Sequence, residues 1–146
     1  MDQSYDQGPE GRFGGQEKAQ RLVLDHPLGI GTHTFRDIHH PEEPHNVYLT
    51  MFLNAGWLGG LLYIASVAGT AMTGLWMSLR NGYLQGPMAV AATSFAALAF
   101  EGVIIDSDHW RHFFLVMALV WGLADASWAA PLPHRRRRGN QETVDG

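Results

Sequence analysis

The sequence predicts an all-α integral membrane protein with three transmembrane helices preceded by an irregular polar segment. Three observations predict it. The apolar residues, 46 % of a 146-residue chain, are not dispersed as a soluble core requires; they collect in runs at 47–79, 87–100 and 113–123, the last two extendable to 105 and 132. No charged residue interrupts the first run. Both ends of the chain are polar, and they dilute the spans to a near-neutral mean hydropathy. Cysteine is absent, so disulfides and thiolate ligands or nucleophiles are excluded. Nothing at the N-terminus resembles a signal peptide.

Residues 1–46 read as one polar segment. Residues 1–15 carry Asp2, Asp6, Glu10 and four glycines without apolar periodicity, which predicts extended or disordered chain. Residues 16–24 offer a modest apolar face through Ala19, Leu22 and Val23 and predict a short helix. Residues 25–44 hold three prolines and two glycines, which favours a folded loop over regular structure.

Residues 47–132 form the three-span region. A helix over 47–79 would be roughly 50 Å long against about 30 Å of hydrocarbon, so one upright span is excluded. The expected division is a short interfacial stretch over 47–53, a loosening at 54–56, and a span over 57–79 with Trp57 and Tyr63 near the headgroups. Asn46 is placed to cap this helix, because its side-chain oxygen can accept from the first free backbone N–H groups. The other spans are expected at about 86–105 and 111–130. The glycines of Gly56-x-x-x-Gly60 suit close helix packing, with a helix from outside this chain as the expected partner.

Residues 133–146 form a basic tail containing Arg135 to Arg138. Together with Arg80, between the first and second spans, the tail predicts a cytoplasmic C-terminus and places residues 1–46 and 106–112 on the opposite side. In a Gram-negative cell that side is the periplasm. The net charge of −4 is a sum over an acidic N-terminal part and this arginine tract. The tract suits anionic lipid headgroups, and no nucleic-acid partner is expected.

Several polar residues could carry chemistry. The string H-H-P-E-E-P-H at 39–45 has donors suited to zinc or copper, but its two prolines make a convergent tetrahedral site harder to form; no metal or other cofactor is expected. Glu101, Asp106, Asp108, His109 and Arg111 make a second polar cluster. An ionisable group at membrane depth, as Glu101 would be, requires a partner or a wet cavity. Arg111 is its expected partner. If the third helix begins near Ser107, Asp108 shares a face with Arg111 or His112.

The string H-P-L-G-I-G-T-H-T-F at 26–35, followed by P-H-N-V-Y-L at 44–49, G-W-L-G-G-L at 56–61 and I-I-D-S-D-H-W-R-H-F-F-L at 104–115, resembles the C-terminal part of the O-antigen ligase and polysaccharide polymerase family of bacterial inner-membrane glycosyltransferases. The resemblance covers roughly residues 11–123. It implies transfer of a glycan from an undecaprenyl diphosphate carrier to a lipid or saccharide acceptor in the periplasm, without a metal. His45 matches the family's essential periplasmic histidine beside an asparagine; a neutral imidazole can take the proton of an attacking hydroxyl. The reading from the residues alone is that His45 and Asn46 cap a helix. Periplasmic arginines in the family neutralise the diphosphate, a task suited to a bidentate guanidinium. Arg12, in a glycine-rich setting, ranks first here and Arg111 second, with Arg21 and Arg36 as surface charges. Asn46 and Asp108 are the remaining candidate substrate contacts. The family's members have around a dozen spans, so the resemblance also implies a fragment, inactive alone, whose partners include missing N-terminal helices as well as membrane lipids and the lipid-linked glycan. The alternative is a non-catalytic three-span remnant or assembly partner.

Overall fold

The structure, a computed structural model, describes residues 12–40, 44–104 and 111–129. These are mostly helical, with no strand among them. Helix α1 spans Arg12–Asp25, a π-helical turn spans Phe35–His39, and three longer helices follow: α2 Val47–Ser78, α3 Gln85–Glu101 and α4 Arg111–Ala129.

Helix α1 starts earlier than its sequence suggests, with Gly14 and Gly15 inside it. Glycine weakens an isolated helix, but here a tertiary contact requires it. A Cβ on Gly15 would lie 2.9 Å from Cε1 of the buried His40. The loop expected over 25–44 likewise contains one wide helical turn. It closes with the His40 N–H donating to the Phe35 carbonyl at 2.9 Å and brings the two rings into a stack 5.8 Å apart. Phe35 then buries against Ala19 of α1 and Leu53 of α2, so the outer segment has a small core of its own.

The main core lies between α2, α3 and α4. Helix α3 returns antiparallel to α2, since the Gln85 side chain reaches the Ser78 carbonyl at one end and the Val47 N–H reaches the Gly102 carbonyl at the other. Helix α4 runs parallel to α2, as Phe113 packs on Tyr63 and Trp121 on Thr70. Phe95, Phe113, Met88 and Val120 fill the centre. Gly74 lets α3 come close, because a Cβ there would stand 2.9 Å from that of Ala92.

Two helices, α2 and α4, have the length and composition to cross a membrane. Only 22 % of the most apolar stretch of α2 and 17 % of that of α4 is buried, the reverse of a core helix in a soluble protein. The expectation of three such helices is corrected to two. Helix α3 has 17 residues, about 25 Å, and stops at Glu101, where the next carbonyl, that of Gly102, turns to receive the Val47 N–H.

Helix α2 is broken at Gly56, whose φ of 70° and ψ of −171° are not helical. The bend is large enough that the Tyr48 and Tyr63 rings meet at 5.7 Å, although fifteen residues of straight helix would separate them by roughly 22 Å. Residues 47–55 therefore fold across the top of the bundle, and 57–78 remain as the long segment. That segment is about 33 Å long, a match to the hydrocarbon thickness.

Candidate functional site

The site is built from the start of α2 outward. Asn46 is in extended conformation, and its side-chain oxygen accepts from the Leu49 N–H at 3.1 Å, the capping bond expected from sequence. Its amide nitrogen donates to the Val103 carbonyl at 3.1 Å, tying the cap to the turn after α3. The Val47 N–H to Gly102 bond and the Tyr48 hydroxyl, which donates to the Ala99 carbonyl at 2.7 Å, complete this seam. Pro44 is buried, and its carbonyl accepts from the Asn46 N–H at 2.8 Å. His45 is thereby held, half-buried, between a fixed proline and a fixed cap.

The loop over 26–33 packs into the break of α2. In an unbroken helix the Trp57 N–H would donate to the Leu53 carbonyl. Here that bond is exchanged for two others: the Trp57 N–H donates to the Pro27 carbonyl at 2.9 Å, and the Ile30 N–H donates to the Leu53 carbonyl at 2.7 Å. Both groups freed by the break are satisfied, as buried backbone polar groups require. The Trp57 indole also donates to the Val23 carbonyl at 2.8 Å, so α1, the loop and α2 are pinned at one level. His33 in the same loop has a φ of 63°, an uncommon conformation for a residue with a side chain.

No family model, curated protein or solved structure matches the chain. The site therefore stands on its own residues.

His45, Asn46 and Arg111 lie at the same end of the bundle. Arg111 opens α4 two residues before Phe113, which packs on Tyr63, and Tyr63 touches Tyr48. Its side chain is exposed, and it forms no ion pair with the half-buried Glu101. The expected Glu101–Arg111 partnership is thus not made. Arg12 heads α1, one turn before the glycine that packs on His40. Asp108 lies outside the described residues, as do Asp106, His109 and residues 41–43 of the histidine-rich string. Arg21 pairs with Glu17 at 2.6 Å and Arg36 with Asp37 at 3.7 Å, all exposed, as ordinary surface charges do.

The Gly56 and Gly60 faces are already occupied. A Cβ on Gly60 would strike the Phe52 ring at 2.4 Å, and one on Gly56 the Pro27 carbonyl oxygen at 2.5 Å. The pair thus receives the chain's own bent segment and loop, not another helix. Sequence reasoning missed the role of Pro27 and Ile30, whose backbone groups replace the broken helical bond. The available signal was the proximity of two glycine-containing strings, but their pairing is long-range. A groove of about 510 Å³ lies elsewhere, between Pro87, Val90 and Ala91 of α3 and Val116, Leu119 and Leu123 of α4. Ser94 is its one polar lining residue.

Proposed function

We propose that this protein is a glycosyltransferase of the O-antigen ligase type, lying in the bacterial inner membrane with residues 1–46 in the periplasm and its C-terminus in the cytoplasm. It moves a glycan from undecaprenyl diphosphate to a lipid or saccharide acceptor. The observation that supports this reading is the setting of His45. It is half-buried at the outer end of the bundle, fixed by the buried Pro44 and the doubly bonded Asn46, and it shares that end with Arg111. In this reading His45 takes the proton of the acceptor hydroxyl as its oxygen attacks the anomeric carbon and the bond from that carbon to the diphosphate breaks. Arg12, with Arg111, neutralises the departing diphosphate. Asn46 acts as a positioning residue, since both ends of its amide are committed within the fold.

One observation favours the alternative of a non-catalytic membrane remnant or assembly partner. The groove between α3 and α4 is lined by apolar side chains apart from Ser94 and holds no cation to pair with a diphosphate. Transfer measured in membranes carrying the protein expressed from its complete reading frame, with a lipid-linked donor, separates the two. His45→Ala and His45→Gln are each expected to lower transfer on the order of 10²–10⁴-fold at unchanged membrane abundance. Arg12→Lys is expected to remain impaired, because an ammonium lacks the bidentate fork. Near-normal transfer by His45→Gln would exclude proton transfer at this position.

A further inference from the structure

We infer that Leu24 and Leu28, with Trp57 and Leu58, form one apolar ridge inserted into the bilayer at the boundary between headgroups and acyl chains, making the loop in the α2 break a membrane-inserted element.

Leu28 is 91 % exposed, the highest value among the large apolar side chains described, and Leu24 is 70 % exposed. Leu28 is not free to turn inward. The backbone on both sides of Leu28 is bonded to α2, through the Pro27 carbonyl and the Ile30 N–H, and a Cβ on Gly56 would touch the Leu28 carbonyl carbon at 2.5 Å. The Trp57 indole donates to the carbonyl of Val23, the residue before Leu24, and the Trp57 N–H donates to the carbonyl of Pro27, the residue before Leu28, so both exposed leucines follow backbone anchored on Trp57. Leu58, Leu61 and Leu62, all exposed, continue that surface along α2.

The occupant that fits is lipid. The ridge is continuous with the outward face of a helix apolar enough to span a membrane, and transfer of such side chains out of water is favourable. It lies at the level of Trp57, and tryptophan concentrates where bilayer meets water. Asp25 and His26, exposed between the leucines, suit the headgroup side. The inference rests on α2 crossing the membrane, not on glycosyl transfer.

The chain has no cysteine, so single spin labels can be placed at Leu28→Cys, Leu62→Cys and Gln20→Cys in nanodiscs of phosphatidylcholine and phosphatidylglycerol. Leu28 and Gln20 are exposed, so neither label displaces a core contact. Collisions with oxygen, which partitions into lipid, are compared with those of a water-soluble nickel chelate. The expected result is a several-fold oxygen preference at Leu62, a smaller but clear one at Leu28, and nickel preference at Gln20. Nickel access at Leu28 equal to that at Gln20, with Leu62 still protected, would overturn the inference alone. Nickel access at Leu62 as well would overturn it together with the membrane placement of α2. Spin–spin broadening at Leu28 that disappears on dilution with unlabelled chain would also overturn it, by showing that a second copy covers the ridge.

Discussion

Gly29 and Gly56 face each other backbone to backbone across the break in α2. Their φ angles are 83° and 70°, and a Cβ on Gly29 would stand 2.6 Å from the Gly56 nitrogen. Because the atoms in the way belong to the main chain, no side-chain rearrangement relieves the clash. This contact sits where α2 bends and where the loop over 26–33 packs against it.

Gly29→Ala and Gly56→Ala should therefore each destabilise the fold by more than the about 1–3 kcal/mol that a left-handed backbone alone costs a residue with a side chain. Gly69→Ala is the control. A Cβ there meets nothing within 4 Å, and helix propensity favours it by up to about 1 kcal/mol. Unfolding in mixed detergent measures all three, and opposite signs are expected.

Asn46 makes two separable contributions. Asn46→Ala removes the cap and the bond to Val103, with an expected loss of about 2 kcal/mol, half from each. Asn46→Asp keeps an oxygen for the Leu49 N–H but has no donor for the Val103 carbonyl, so it should retain the capping half. Equal losses in the two variants would show that the bond to Val103 carries the whole effect.

Thr70 is fully buried between α2 and α4, accepting from the Trp121 indole at 2.9 Å and donating to the Ser66 carbonyl at 2.8 Å. Hydrogen bonds between membrane helices average about 0.6 kcal/mol, with a maximum near 1.7. A double-mutant cycle of Thr70→Val and Trp121→Phe should return a coupling in that range, measured by the same unfolding assay. Zero coupling would mean that Trp121 is held by packing alone.

Orientation is tested at the turn between α2 and α3, where the Arg80 guanidinium lies 4.0 Å from the centre of the Trp76 ring. A cation beside an interfacial tryptophan suits the cytoplasmic surface. Reporter fusions after Gly82 should read cytoplasm and fusions after Ile104 periplasm. The opposite pattern would place His45 in the cytoplasm and remove the basis for glycan transfer.

What the sequence determined by itself is what depends on neighbours in the chain. The uncharged run at 47–79, the Asn46 cap three residues from Leu49 and the apolar face of α1 are set by local periodicity and by side chains that reach one helical turn. The need for a break near residues 54–56 also followed, since helix rise and bilayer thickness are constants. Tertiary structure decided the remainder. Gly56 is the break, not Gly59 or Gly60, because residues 27–30 supply the donor and acceptor that the opened helix requires. Gly15 stays helical because His40, twenty-five residues later, occupies the space of its missing side chain. Other long-range bonds, from the Asn46 amide to the Val103 carbonyl and from the Val47 N–H to the Gly102 carbonyl, fix the cap beside the half-buried His45. Hydrogen bonds between segments tens of residues apart leave no periodic trace in the sequence, so they emerge only once the chain has folded.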